Sequence, residues 1–170
     1  MKLWFDWGFT ATSWRGERGE YWVLGQAILL LAFAVLPVYY PPGWVRPQGP
    51  WLSLLWAIAA TLGLGAIVLL GSALYYLGQS LTPLPYPRSD GNLVQSGPYR
   101  YVRHPIYSGL IFVTLAWALY QVSCSHLLGN LVLATFLNAK ASREEVWLGE
   151  KYPEYSDYRH RVKKLIPWVY

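Results

Sequence analysis

Residues 21–45, 47–87 and 104–139 contain no Asp, Glu, Lys or Arg. That segregation constrains the fold more than any motif does, because a surface helix of a soluble domain needs a polar face along its whole length. Apolar residues make up 54% of the 170-residue chain and charged residues 14%. A helix needs about 20 apolar residues to cross a hydrocarbon layer of roughly 30 Å. Residues 21–40, with Gln26 as their one strongly polar side chain, and residues 51–77 supply that length. The third stretch is too long for one crossing and is interrupted by polar residues between Gln121 and Ser125. It reads as a tight helical hairpin with arms Ile106–Tyr120 and Leu127–Ala139. The expected fold class is all-α: an integral membrane bundle of about four transmembrane helices, followed by a cytoplasmic C-terminal helical region.

The basic residues agree with this topology. Cytoplasmic loops near span ends carry the excess of Lys and Arg. With the N-terminus inside, thirteen of the fourteen Lys and Arg residues fall on the cytoplasmic side and only Arg46 lies outside. Both termini are therefore expected in the cytoplasm of a multi-pass protein, in a bacterial or archaeal inner membrane. The net charge of +5 follows from that rule, so no nucleic-acid partner is called for; membrane lipids are the expected surroundings. The first apolar run is long enough to span and has no small-residue cleavage site after it, so it reads as an anchor rather than a cleaved leader. Cys124 is the single cysteine, which excludes an intrachain disulfide; no metal site is expected.

The chain reads as one membrane-embedded domain over residues 1–170, with N-terminal helices in 1–77 and a functional core in 78–170. Residues 1–20 form a polar and aromatic lead-in, and Pro41-Pro42-Gly43 with Pro47-Gln48-Gly49-Pro50 punctuate a short outer loop. Gly63 and Gly65 sit in the middle of an apolar helical run, the wrong setting for a phosphate-binding loop. With Ala59 and Ala66 they more plausibly admit a neighbouring helix. Pro83, Pro85 and Pro87 predict an extended inner segment over Leu81–Ser96 that ends in a turn. Pro153 should break a helix leaving the membrane from Lys140, before a short basic helix that runs to Ile166-Pro167.

Two clusters carry chemistry. Gly97-Pro98-Tyr99-Arg100-Tyr101-Val102-Arg103-His104-Pro105-Ile106-Tyr107-Ser108-Gly109 places arginine, histidine and tyrosine at the mouth of an uncharged helix. Ionisable groups at such a depth pair, line a cavity or hold a ligand. Pro105 should open the third helix, setting Arg103 and His104 at an N-terminus that favours an anion; interfacial anchoring by Arg100 and Arg103 is an equal reading of the same residues. The second cluster is Lys140, Arg143, Glu144 and Glu145. Lys140 and Glu144 could simply pair along one helix face, but a hairpin also returns these acids to the level of Arg103 and His104. Cations on one wall and carboxylates on the other suit a mixed-charge ligand.

GPYRYVRHPIYSG, then REEVWL, YPEYSDYRHRV and LIP, resemble the isoprenylcysteine carboxyl methyltransferase family and its phospholipid methyltransferase relatives over residues 78–170. The resemblance implies a membrane enzyme that binds S-adenosylmethionine, releases S-adenosylhomocysteine and methylates a lipophilic small molecule drawn from the bilayer. Carried over by position, Gly97, Tyr99, Arg103, His104, Pro105, Tyr107 and Gly109, with Glu144 and Glu145, would form the cofactor pocket. Arg103, Arg143 and Glu144 are the candidate catalytic residues, the arginines as orienting groups for a carboxylate and Glu144, with His104 as the alternative, as a base for an amine or thiol. Lys140 departs from the family, whose eukaryotic members carry arginine there, and Tyr152-Pro153-Glu154-Tyr155-Ser156-Asp157-Tyr158 is one residue shorter than their pattern. Two other readings are an NADPH-dependent reductase, since sterol reductases carry a similar RHPxY segment, and a non-catalytic lipid-binding module with a basic inner face.

Overall fold

The computed structural model describes residues 16–88 and 90–170, apart from the side chain of Gln79. Most of the lead-in at residues 1–20, including Lys2 and Arg15, thus lies outside the described residues. Five α-helices follow: α1 (Glu20–Val35), α2 (Pro50–Leu77), α3 (Pro105–Gln121), α4 (Cys124–Lys151) and α5 (Tyr155–Arg161). Single 3-10 turns cover Gly78–Ser80 and Gly97–Arg100. No strand occurs among the described residues; the one β-bridge pairs Val102 with Lys163 in parallel.

The helices stand side by side in the order α1, α4, α3, α2, so the two helices that are neighbours in sequence at the N-terminal end flank the α3–α4 hairpin instead of pairing with each other. Small residues draw α2 onto α3. Ala59, Ala66 and Ala73 recur every seven residues and are buried, and Gly63 lies opposite Ala116. On the other side Trp22 meets Phe136 at 5.3 Å and Phe33 meets the His126 ring edge-on at 5.2 Å, which fastens α1 along α4. The remaining faces are strongly apolar and turned outward: Leu31, Val35, Leu64, Val68, Leu128 and Leu131 are each more than half exposed. Such a surface suits hydrocarbon as solvent.

One described helix, α2, is long and apolar enough to cross a bilayer. α1 stops at Val35, five residues short of the expected end, because Pro37 cannot continue it. At 16 and 17 residues, α1 and α3 measure about 24–26 Å along their axes, less than a full hydrocarbon layer. α4 is longer than the expected arm Leu127–Ala139: it runs unbroken through Lys140, Glu144 and Glu145 to Lys151, and so carries the acidic pair on a rigid rod. The outer turn between α3 and α4 is only Val122-Ser123, and the short basic helix ends at Arg161 rather than Ile166.

The end of the bundle at which α3 begins, the inner end in the topology expected from the sequence, is closed by residues 163–165. Arg103 and His104 donate their backbone N–H groups to the carbonyls of Lys163 and Lys164 at 2.8 and 3.1 Å, and Ser108 Oγ donates to the Leu165 carbonyl at 2.6 Å. The proline-rich segment before Gly97 has no regular structure, as expected, but it is packed: Leu84 is 4% exposed, and Tyr152 Oη donates to the Gly91 carbonyl at 2.6 Å.

Candidate functional site

The site is built where α3 begins, where α4 passes it, and where the C-terminal residues return. Pro105 occupies the first turn of α3, with His104 as the N-cap, and its fixed φ makes it a starter that loses no hydrogen bond there. Glu145 is the hub of the charged layer. It accepts from Arg103 Nε at 2.8 Å and contacts His104 Nε2 at 3.2 Å, with Arg159 Nε at 3.7 Å. The side chains of Arg103 and Glu145 are 9% and 5% exposed, so the pair is almost fully removed from water. Burial alone would raise the Glu145 carboxyl; hydrogen bonds from His104 and Arg103, reinforced by their charges, outweigh it and hold the group at about 2.

Arg103 is further committed to the returning tail through Nη1, which donates to the carbonyls of Arg159, at 3.1 Å, and Val162. The anion that meets the arginine–histidine pair at the start of α3 is therefore the chain's own. Glu144, one residue earlier on α4, faces differently: it accepts from Tyr107 Oη at 2.8 Å and lies 3.6 Å from His104 Nδ1. The His104 and Tyr107 rings stack at 5.4 Å with their planes 7° apart, fixing both groups around Glu144.

Two cavities adjoin here and share Leu77, Thr82, Tyr99, Arg103 and Glu144 as a common wall. The larger, about 300 Å³, is lined on its apolar side by Val23, Leu74, Leu81 and Ile106 and on its polar side by Gln26, His104, Tyr107 and Lys140. The smaller, about 90 Å³, is lined by Ser80, Arg88, Asn92, Tyr152, Tyr155 and Tyr158 among others. It is a narrow extension of mixed lining, with Leu84, Leu93 and Leu148 beside the polar groups, and has room for only a few waters, so a ligand of any size enters it as an arm reaching from the larger space. Tyr155 lines this extension, and its Oη is buried with no hydrogen-bond partner, alone in that respect among the described residues. Burial pushes its hydroxyl well above the usual tyrosine range, so it stays a donor without an acceptor. Orphaned groups of this kind are costly in a packed interior, and a ligand's acceptor atom would remove the cost.

Of the residues singled out in the sequence, Tyr99, Arg103, His104, Pro105, Tyr107 and Glu144 line the larger cavity, and Glu145 supports it from behind. Three others are placed elsewhere. Arg143 is exposed on another face of α4, its guanidinium 4.6 Å from the centre of the Trp147 ring; one residue before Glu144, it is turned about 100° away around the helix. Gly109 faces α2, where a Cβ would come within 2.5 Å of Leu70 Cγ. Gly97 adopts φ +58° against the Tyr76 ring, where a Cβ would lie 2.5 Å from a ring carbon; both glycines shape the backbone and touch no cavity. Lys140 does not form an ion pair with Glu144: its Nζ donates to Gln26 Oε1 at 2.7 Å and to the Pro83 carbonyl at 3.4 Å. Gln26, Thr82 and Tyr155 are site residues that motif reading passed over. Gln26 was the lone polar residue of its span, a signal that could have marked it.

The comparisons with known proteins bear on this same region. Residues 54–155, more than half of the chain, match the family described as phospholipid methyltransferase. Among curated proteins the chain is 35% identical over 95 residues to a methanethiol S-methyltransferase of Bradyrhizobium diazoefficiens, covering 55% of this chain and 30% of that protein. It is 29% identical over 162 residues to a methanethiol S-methyltransferase of Mycobacterium tuberculosis, covering 89% of this chain and 64% of that protein. It is 33% identical over 102 residues to a protein-S-isoprenylcysteine O-methyltransferase of Schizosaccharomyces pombe, covering 58% and 43%. The chain thus spans under two thirds of the length of these relatives. The matched residues run from α2 to the first residue of α5 and take in the whole charged layer on α3 and α4, and by this match the chain belongs to the phospholipid methyltransferase family.

Proposed function

We propose that this protein is an integral membrane methyltransferase that uses S-adenosylmethionine to methylate a small lipophilic acceptor. The observation that carries the reading is the pair of adjoining cavities, a small one lined by Tyr155, whose hydroxyl is orphaned, and a larger, mainly apolar one, meeting at Glu144. The donor set fits such a cofactor. Glu144 and the rings of Tyr99 and Tyr107 suit a cationic group, and Tyr155 supplies a donor for a ribose or adenine acceptor atom.

When bound, S-adenosylmethionine supplies an electrophilic methyl group on a positively charged sulfur. Transfer of that methyl is an in-line displacement, so the chain's contribution is alignment and exclusion of water. Glu144 is held in place by Tyr107 and His104, and Arg103, locked to Glu145 and the tail, forms an unyielding part of the common wall. Leu74, Leu77, Leu81 and Ile106 keep the acceptor side dry. Arg143 has no place in this scheme. The acceptor enters from the bilayer between α1 and α2, in a multi-pass protein of four spans with both termini cytoplasmic; the outward apolar faces and the inner clustering of Lys and Arg support that topology.

The test is calorimetric titration of S-adenosylhomocysteine and S-adenosylmethionine into the full chain in lipid nanodiscs. We expect binding by the parent and at least tenfold weaker S-adenosylmethionine binding by Glu144→Gln. A folded parent that binds neither overturns the proposal, and binding of NADPH instead would move the reading to a reductase.

A further inference from the structure

Lys140 is 2% exposed and lies on the wall of the larger cavity. Its Nζ is surrounded by neutral oxygens, Gln26 Oε1 at 2.7 Å and the Pro83 carbonyl at 3.4 Å, and stands 5.2 Å from the centre of the Tyr107 ring. No described carboxylate lies within 4.0 Å of it. Glu144, one turn further along α4, attracts it through space but has Oε2 engaged by Tyr107. A buried ammonium held only by neutral dipoles leaves its charge uncancelled, an arrangement that is retained where an anion arrives from elsewhere.

Lys140 and Glu144 thus share the wall of the larger cavity without pairing with each other. In the reading above, Glu144 answers the positive charge of the methyl donor. Lys140 then has nothing left in the chain to balance it. We infer that Lys140 is the recognition group for the methyl acceptor, and that the acceptor binds as an anion, a carboxylate or a thiolate, carrying an apolar body that lies along Val23, Leu74 and Leu77. This rests on the methyltransferase reading and adds the acceptor's chemical class and the residue that selects it. In the transfer, a lone pair of the acceptor O⁻ or S⁻ forms the new bond to the methyl carbon as the carbon–sulfonium bond breaks, leaving a neutral thioether and a neutral methyl ester or methyl thioether. No proton moves, and Lys140 stays an ammonium throughout. An amine acceptor, by contrast, would need a base and would face a like charge.

The test needs no turnover. Decanoate and its neutral isostere decanamide are titrated at neutral pH into the full chain in nanodiscs of uncharged lipid, with 4-nitrobenzenethiolate, which is ionised at the same pH, as a separate arm that distinguishes thiolate from carboxylate. The parent should bind at least one of the two anions at least tenfold more tightly than decanamide. Lys140→Met should shrink that ratio below threefold, Lys140→Arg should keep it, and S-adenosylhomocysteine affinity should stay within about twofold in both. Lys140→Gln, which still offers a donor to Gln26, is the second neutral variant should the methionine form fail to fold, and it should behave as Lys140→Met does. A parent that does not prefer either anion, or a neutral variant that keeps the preference, overturns the inference. Anion preference that depends on Lys140 in a protein that does not bind S-adenosylhomocysteine would uphold the anion site while removing the methyltransferase reading, so the two failures are distinguishable.

Discussion

The α3–α4 hairpin buries polar groups at both of its ends, and it treats them in opposite ways. At the outer end Ser123, His126, Asn130 and Thr114 satisfy one another and the nearby backbone: His126 Nδ1 lies 2.8 Å from Ser123 Oγ, and Asn130 Nδ2 donates to the Ile111 carbonyl and Thr114 Oγ1, both at 2.8 Å. All four are neutral or can be, and Pro37 to Tyr40 cover them from outside through the Tyr39 and Ser125 hydrogen bonds. At the inner end the groups are charged, a tyrosine hydroxyl has no partner, a lysine has no counter-ion, and cavities separate them. A polar network that closes on itself builds architecture. One left open at defined points is arranged around something that is not part of the chain.

That contrast can be broken by substitution. The largest effect should follow Glu145→Ala, which leaves buried Arg103 uncompensated and unpins the C-terminal residues; removing one partner of a buried pair costs about 3–5 kcal/mol, read as a fall in thermal midpoint together with loss of cofactor binding. Asn130→Ala should cost about 1–3 kcal/mol by removing two buried hydrogen bonds, yet leave S-adenosylhomocysteine affinity unchanged in the protein that remains folded. If it abolishes binding, the division between the two ends fails.

Tyr155→Phe should do the reverse of Asn130→Ala. Removing a hydroxyl that bonds to nothing leaves stability the same or slightly higher, while S-adenosylhomocysteine should bind several-fold more weakly; unchanged affinity would exclude the hydroxyl as a cofactor contact. The smallest effect is on acid stability. The folded Glu145 carboxyl titrates at about 2, against an ordinary value of 4.5. Its contribution is fully present above about pH 4.5 and disappears as pH falls toward 2. The melting temperature of the parent should therefore drop through that window more steeply than that of Glu145→Gln, and parallel curves would show that the pair contributes nothing.

Much of the inner end was legible beforehand because it rests on chemistry that residue types announce. Arg103, His104, Glu144 and Glu145 were expected to converge once a hairpin was drawn, and Pro105 marked the start of α3 for a steric reason that tertiary contacts do not override. Ala59, Gly63 and Ala66 likewise announced a close helix approach. What could not be read were facts that depend on rotation and on distant segments. Whether Arg143 or Glu144 faces the cavity is a matter of one residue's turn around α4. Spacing alone allows Lys140 to pair with Glu144, because nothing local reveals that Gln26, on α1, would accept its hydrogen bond. Helix lengths erred where a proline lay inside an apolar run, as Pro37 does, since hydropathy does not register a missing N–H.

The parallel bridge between Val102 and Lys163 has a temporal consequence. It joins positions about sixty residues apart, and the loop it closes contains all of α3, α4 and α5. Loop-closure entropy makes such a contact a late event, and in a chain made from its N-terminus the apolar helices emerge before the strand-like tail that clamps Arg103. The scaffold is therefore in place while Arg103 and His104 still lack their backbone partners. The backbone pairing of Arg103 and His104 with residues 163 and 164 is completed after those helices have formed, when the tail docks.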